Sequence, residues 1–195
     1  MELTMNRTGT YIAFDGLGKK DPSESDFKYY ATLQAWNANK NIEFNITNSH
    51  DKASSVRDTS KRETLLASIQ QRFRGSKNML IVLSDDTRKS GSVLSDEIEM
   101  AVDTYEIPLI IAYVDYSVIA SPHQLSKRWP IALQKRINDK TAHAIHIPFK
   151  KELVLKAITY FSPTQLPAYH GNTIYARSIY QELGLLNPFE VFCNK

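Results

Sequence analysis

Residues 79–102 read MLIVLSDDTRKSGSVLSDEIEMAV, and the reading of this stretch decides the fold. Residues 79–83 are an unbroken apolar run, the composition of a strand buried on both faces of a parallel sheet. A polar loop containing Gly91 follows over residues 84–92. The apolar spacing then becomes helical. At about 100° per residue, Leu94, Ile98, Ala101, Val102 and Tyr105 share one face, while Asp96, Glu99, Asp103 and Glu106 share the other. Glu97 lies on the flank, about 70° from the centre of the apolar stripe. Strand, loop and helix, with a carboxylate near the helix start, is how an open α/β sheet presents chemistry at the carboxyl ends of its strands. A carboxylate aimed partly at the sheet has a raised proton affinity unless something compensates it, and such groups cluster at functional sites. An acid in the first helical turns also complements the helix macrodipole. Spacing alone leaves both readings open.

Working outward, residues 10–14 (TYIAF) form a first strand of β-branched, aromatic and small residues. It ends in Asp15-Gly16-Leu17-Gly18, a turn that is neither GxGxxG nor a P-loop. A helix capped near Ser23 or Ser25 should follow, with Glu24 and Asp26 in its first turn and Tyr29, Leu33 and Trp36 facing the core. Residues 42–47 (IEFNIT) alternate as a second strand. His50 comes next in a polar loop, where it would titrate near neutrality. Ser60 to Glu63 reads as a capping box, opening a helix with Leu65, Leu66, Ile69 and Phe73 on one face and Gly75 at its end. Beyond the central stretch, residues 108–114 (PLIIAYV) form another buried strand. Ser121-Pro122 starts a helix that Pro130 interrupts. Residues 141–147 form a fifth strand, 150–161 a helix, and 172–183 a further helix ending at Gly184. Alternating strands and helices imply a five-stranded parallel sheet with helices on both faces, in the flavodoxin-like order 2-1-3-4-5. The expected organisation is a flexible N-terminus (1–9), an α/β domain (10–162) and a helical C-terminal extension (163–195) that packs on the domain or on a second subunit.

Composition narrows the function classes. The chain has 195 residues, 42% hydrophobic and 23% charged, with a net charge of +3, as an ordinary globular protein does. Lysine and arginine are scattered, which argues against nucleic-acid binding. The single cysteine, Cys193, forms no internal disulfide, and no Cys/His group has metal-site spacing. No apolar run approaches ~20 residues, so no membrane span is expected. These features suit a reducing cytoplasm.

The opening strand and loop (TYIAFDG), the segment YYATLQAW followed by IEFNITNSHD, the strand MLIVLSDDT, and above all VLSDEIEMAVDTYEIPLIIAYV together resemble a TIR-type domain. More narrowly, they resemble the TIR-like ThsB proteins of bacterial Thoeris anti-phage systems, over residues 10–160. In catalytic TIR domains a glutamate at the start of this helix cleaves the N-glycosidic bond of NAD, and Glu97 stands in that place. Many such enzymes carry Trp four residues earlier, where this chain has Val93. Phe14 and Asp15 occupy positions that are often basic in the animal enzymes.

The resemblance implies that NAD is the substrate and that no cofactor is needed. It further implies a cyclic ADP-ribose-type product that switches on a partner effector, and a site composed in a homo-oligomer. Glu97 would be the catalytic group. Phe14, Asp15, His50, Ser84, Thr87 and Val93 would line the substrate. One carboxylate suffices for such chemistry. A glycosidase needs a second because its alcohol leaving group must be protonated, whereas nicotinamide leaves neutral. Three other classes share the layout: a non-enzymatic TIR adaptor, a phospho-receiver using Asp15, Asp85, Thr87 and Lys150, and a nucleoside deoxyribosyltransferase.

Overall fold

The computed structural model describes residues 7–17, 26–38, 46–47, 59–166, 171–187 and 191–193. Six parallel strands form one sheet: β1 (Gly9–Phe14), β2 (Ile46–Thr47), β3 (Ser76–Leu83), β4 (Leu109–Tyr113), β5 (His143–Pro148) and β6 (Gly171–Ile174). Their order is β2-β1-β3-β4-β5-β6. The first five strands therefore lie as expected, with the chain reversing its direction of winding between β1 and β3. Register is uninterrupted through the middle of the sheet: Ile12 pairs with Leu80, Leu80 with Ile110, and Ile110 with Ile145.

Period-two alternation divides the core in two. Tyr11, Ala13, Met79, Ile81, Leu83, Ile111 and Tyr113 face one side. There they meet Ile69 and Phe73 of α2 (Thr59–Arg74), Leu94 and Ile98 of α3 (Val93–Glu99), and Leu133 of α4 (Ile131–Asn138). Ile12, Phe14, Leu80, Val82, Ile110 and Ile145 face the other side. They pack on Tyr30 and Leu33 of α1 (Phe27–Asn37), on Leu153, Ala157 and Ile158 of α5 (Lys151–Tyr160), and on Tyr180 of α6 (Arg177–Glu182). Central strands buried on both faces explain why residues 79–83 and 109–113 carry no polar alternation. Asn78 of β3 is buried and polar. It accepts from the Thr10 hydroxyl at 2.7 Å and donates to the Ile158 and Phe161 carbonyls at 3.0 and 2.9 Å, satisfying the C-terminal end of α5.

Several expectations need correction. Residues 172–183 were expected to be one helix, but 171–174 are strand and only 177–182 are helical. The outer edge of β5 supplies backbone partners that a short segment with Asn and Thr accepts by pairing, and β6 covers an edge that would otherwise stand open. Gly184, at φ +68, then ends α6 as a left-handed residue. α1 starts at Phe27 with Asp26 at its N-cap, and that side chain makes no capping bond; Ser23 to Ser25 lie outside the described residues. The capping-box side chains of Ser60 and Glu63 also lie outside them. The central helix changes character: after Glu99 it continues as a π-helical turn, Met100–Thr104. The segment from Ser121 is a 3-10 helix, Pro122–Arg128, separated by Pro130 from α4. Among the described residues, no helix is long and apolar enough to cross a membrane.

Candidate functional site

The carboxyl ends of β1 and β3 lie side by side, and the polar groups of the molecule's centre gather around them. Ser92 occupies the N-cap of α3, and one turn later Glu97 reaches inward. It is 3% exposed. Its depth exceeds what the helical angle implied, because Tyr11 in the middle of β1 meets it there. The Tyr11 hydroxyl donates to Oε1 of Glu97 at 2.6 Å, while the Tyr11 ring stacks on Phe73, centroids 4.2 Å apart. Burial pushes the Glu97 carboxyl up to about 8, against the opposing pull of the Tyr11 bond and the more distant Arg72 charge. The negative charge of Asp15 adds to the upward push. At neutral pH the free protein therefore holds Glu97 mostly protonated.

Asp15, at the tip of β1, behaves in the opposite way. Burial alone would raise it, but a set of bonds outweighs burial and holds it below the usual carboxylate range. Arg88 donates from Nε at 2.9 Å to Oδ2 and from Nη2 at 2.6 Å to Oδ1. The backbone N–H groups of Arg88 and Leu17 donate to the same carboxylate at 2.8 and 2.9 Å. Two buried acids that influence each other electrostatically thus have proton affinities driven apart by their surroundings, as in sites that do acid–base work.

The β3 loop closes the other side. The Ser84 hydroxyl donates to Oδ2 of Asp26 at 3.0 Å, and the Ser84 backbone N–H donates to the Thr87 hydroxyl at 2.9 Å. Desolvation raises Asp26 to about 6, with Ser84 opposing. Ser84 and Thr87 are both buried, and their polar atoms bond each other and Asp26. Phe14 points to the opposite face of the sheet from Glu97 and packs on Tyr30, centroids 5.8 Å apart. Val93 is 39% exposed on the first turn of α3. His50 lies outside the described residues. Asp15, Ser84 and Thr87 therefore lie at the carboxyl ends of β1 and β3, Glu97 is buried against Tyr11 on one face of the sheet, and Phe14 packs on the other. The structure adds Tyr11, Arg88 and Asp26, which sequence reasoning did not single out. Tyr11 carried one usable signal: a tyrosine inside an apolar strand needs a buried partner for its hydroxyl. Among the described residues, no group of three or more His, Cys, Asp or Glu side chains is placed to hold a metal ion.

A cavity of about 600 Å³ opens at the other end of the sheet, bordered by Val102, Glu106, Pro108 and Ala142 at the amino ends of β4 and β5. It is remote from the strand tips that carry the polar cluster, and it contributes nothing to that chemistry.

The family described as Thoeris protein ThsB, TIR-like domain, matches residues 11–118, more than half of the chain. The chain belongs to this family. The matched span begins at Tyr11 and includes Glu97, so both members of the buried pair fall within the ThsB TIR-like region. Membership makes the protein a TIR module of a defence system, with the strand order described above.

Proposed function

We propose that this ThsB-family protein cleaves the nicotinamide–ribose bond of NAD at Glu97 and releases a cyclic ADP-ribose-type signal that activates a partner effector. The observation that carries the reading is the buried Tyr11–Glu97 pair beside the switch point of the sheet. In the reaction the C1′–N bond breaks with its electron pair going to nicotinamide, which leaves neutral. Positive charge develops on the ribose, and a fixed carboxylate nearby stabilises it. An acceptor then attacks C1′ and loses a proton. Water gives ADP-ribose; a nitrogen or hydroxyl of the same molecule gives a cyclic product. A carboxyl whose proton affinity lies near ambient pH is suited to take that proton. The pyridinium charge of NAD would itself favour ionisation of Glu97, so binding and activation of the group are coupled.

The test is incubation of the full chain with NAD, with and without its cellular trigger, followed by chromatography of the products. Nicotinamide release by the native protein and its absence in Glu97→Gln is the expected result. Full activity in that variant overturns the assignment. The burial of Glu97 favours one second reading: a TIR module that assembles with partners and does no chemistry. In that case neither protein consumes NAD under any trigger, and both assemble alike.

A further inference from the structure

Arg88 stands out among the cations at the carboxyl edge of the sheet. Its guanidinium side chain is 40% exposed, while the Asp15 carboxylate it grips is fully buried. Nε and Nη2 are engaged by Asp15, and Nη1 has no hydrogen-bond partner among the described residues. Neighbouring cations are committed to the chain. Lys89 donates to the Ser126 and Trp129 carbonyls at 3.2 and 3.1 Å, and Arg128 to the Val114 carbonyl at 3.1 Å and to Asp85.

The Asp15–Arg88 contact is built so that one half can leave. Asp15 keeps two backbone N–H donors, from Leu17 and Arg88, when the guanidinium moves away. The Arg88 main chain stays anchored by that second bond. A guanidinium fork that fits a carboxylate also fits a phosphate, and a diphosphate brings more charge. Solvent reaches the Arg88 side and not the Asp15 side, so an incoming anion meets the guanidinium first.

We propose that Arg88 is the receptor for the diphosphate of a dinucleotide and that Asp15 occupies it beforehand as an internal stand-in for that anion. The proposal deepens the NAD reading and rests on it for the identity of the ligand. It makes the pair a latch: the substrate must displace Asp15 from Arg88, so the free protein is held in a closed form.

The test is calorimetric titration of the full chain with ADP, AMP and adenosine, on native protein, Arg88→Ala, Arg88→Lys and Asp15→Asn, each checked for a native melting transition. Arg88→Ala should weaken ADP at least tenfold and change adenosine less than twofold. Arg88→Lys, which keeps the charge and loses the fork, should fall between; it also decides the matter if the alanine variant does not fold. Asp15→Asn should tighten ADP severalfold by freeing the guanidinium. An ADP affinity within twofold of native in both Arg88 variants, or native protein that binds ADP no better than adenosine, overturns the receptor. Unchanged ADP affinity in Asp15→Asn overturns the latch. NAD turnover in the same preparations separates the two ideas. Arg88-dependent ADP binding without turnover under the trigger supports the receptor and counts against NAD cleavage. Turnover with Arg88-independent ADP binding does the reverse.

Discussion

A glutamate 3% exposed and hydrogen-bonded by one phenol is an expensive residue to keep. Its carboxyl is raised from 4.5 to about 8, so ionising it in the folded state costs on the order of a few kcal/mol. Because the folded value is raised, the protonated group's contribution is complete below the unfolded value and is lost as pH rises through about 8. Glu97→Gln keeps the shape, cannot ionise, and leaves an oxygen for Tyr11. Urea unfolding of this variant should show stability equal to native at pH 4 and greater than native at pH 9. Tyr11→Phe removes a donor that favours the ionised form. If NAD is the substrate, the rise of kcat/KM with pH, centred near 8 in the native protein, should move to higher pH in Tyr11→Phe. The substitution keeps the aromatic ring, so the stack on Phe73 stays intact. Loss of that hydrogen bond should cost about 1 kcal/mol of stability.

At the scale of elements, β6 is held by more than its backbone ladder. The Trp129 indole donates to the Tyr113 hydroxyl at 2.6 Å, which leaves the phenol's own proton for Nδ1 of His146 at 2.8 Å. Nε2 of His146 then donates to Oδ1 of Asn172 at 2.8 Å. The chain of bonds runs from the segment before α4, through β4 and β5, to β6. Burial drives His146 down to about 4, so it is neutral and can act as both acceptor and donor. Asn172→Leu should leave the His146 N–H unsatisfied and cost about 1–3 kcal/mol. Hydrogen exchange should quicken in Gly171–Ile174 and stay slow in Met79–Leu83. Equal acceleration in both strands would show that β6 is an integral part of the central sheet's cooperative unit. The helix carrying Glu97 was legible from its spacing up to Glu99. The π turn after it was not, because the i→i−5 bond from Tyr105 to Met100 depends on how Ile107 is drawn back to the Ala101 carbonyl.

For the whole molecule, the buried groups set a pH profile. Asp26 is raised to about 6, so its contribution is lost as pH rises from 3.8 to that value. His146 works in the opposite sense: lowered from 6.5 to about 4, it contributes stability above 6.5 that is lost as pH falls toward 4. Above pH 6.5, Glu97 is the one of these three still titrating. Stability should therefore decline from about pH 6.5 to 8 in the native chain, and the decline should vanish in Glu97→Gln. Melting temperatures across that range check it. Truncation before Gly171 removes Tyr180 and Leu186 from the second core and opens the edge of β5. The truncated chain should melt lower and associate through that edge, measured by calorimetry and size-exclusion chromatography.

What residues 79–102 and their neighbours settle without coordinates is local: which runs are buried on two faces, which spacings are helical, and so a parallel sheet whose switch point falls beside Asp15 and Ser84. Periodicity and turn chemistry act over a few residues and can be read along the chain. Tyr11 and Glu97 are 86 positions apart, and Asp15 and Arg88 are 73 apart; only the folded sheet makes them neighbours. Burial then assigns one carboxyl a proton and leaves the other charged, because desolvation and guanidinium contact are properties of the packed site and not of either residue type.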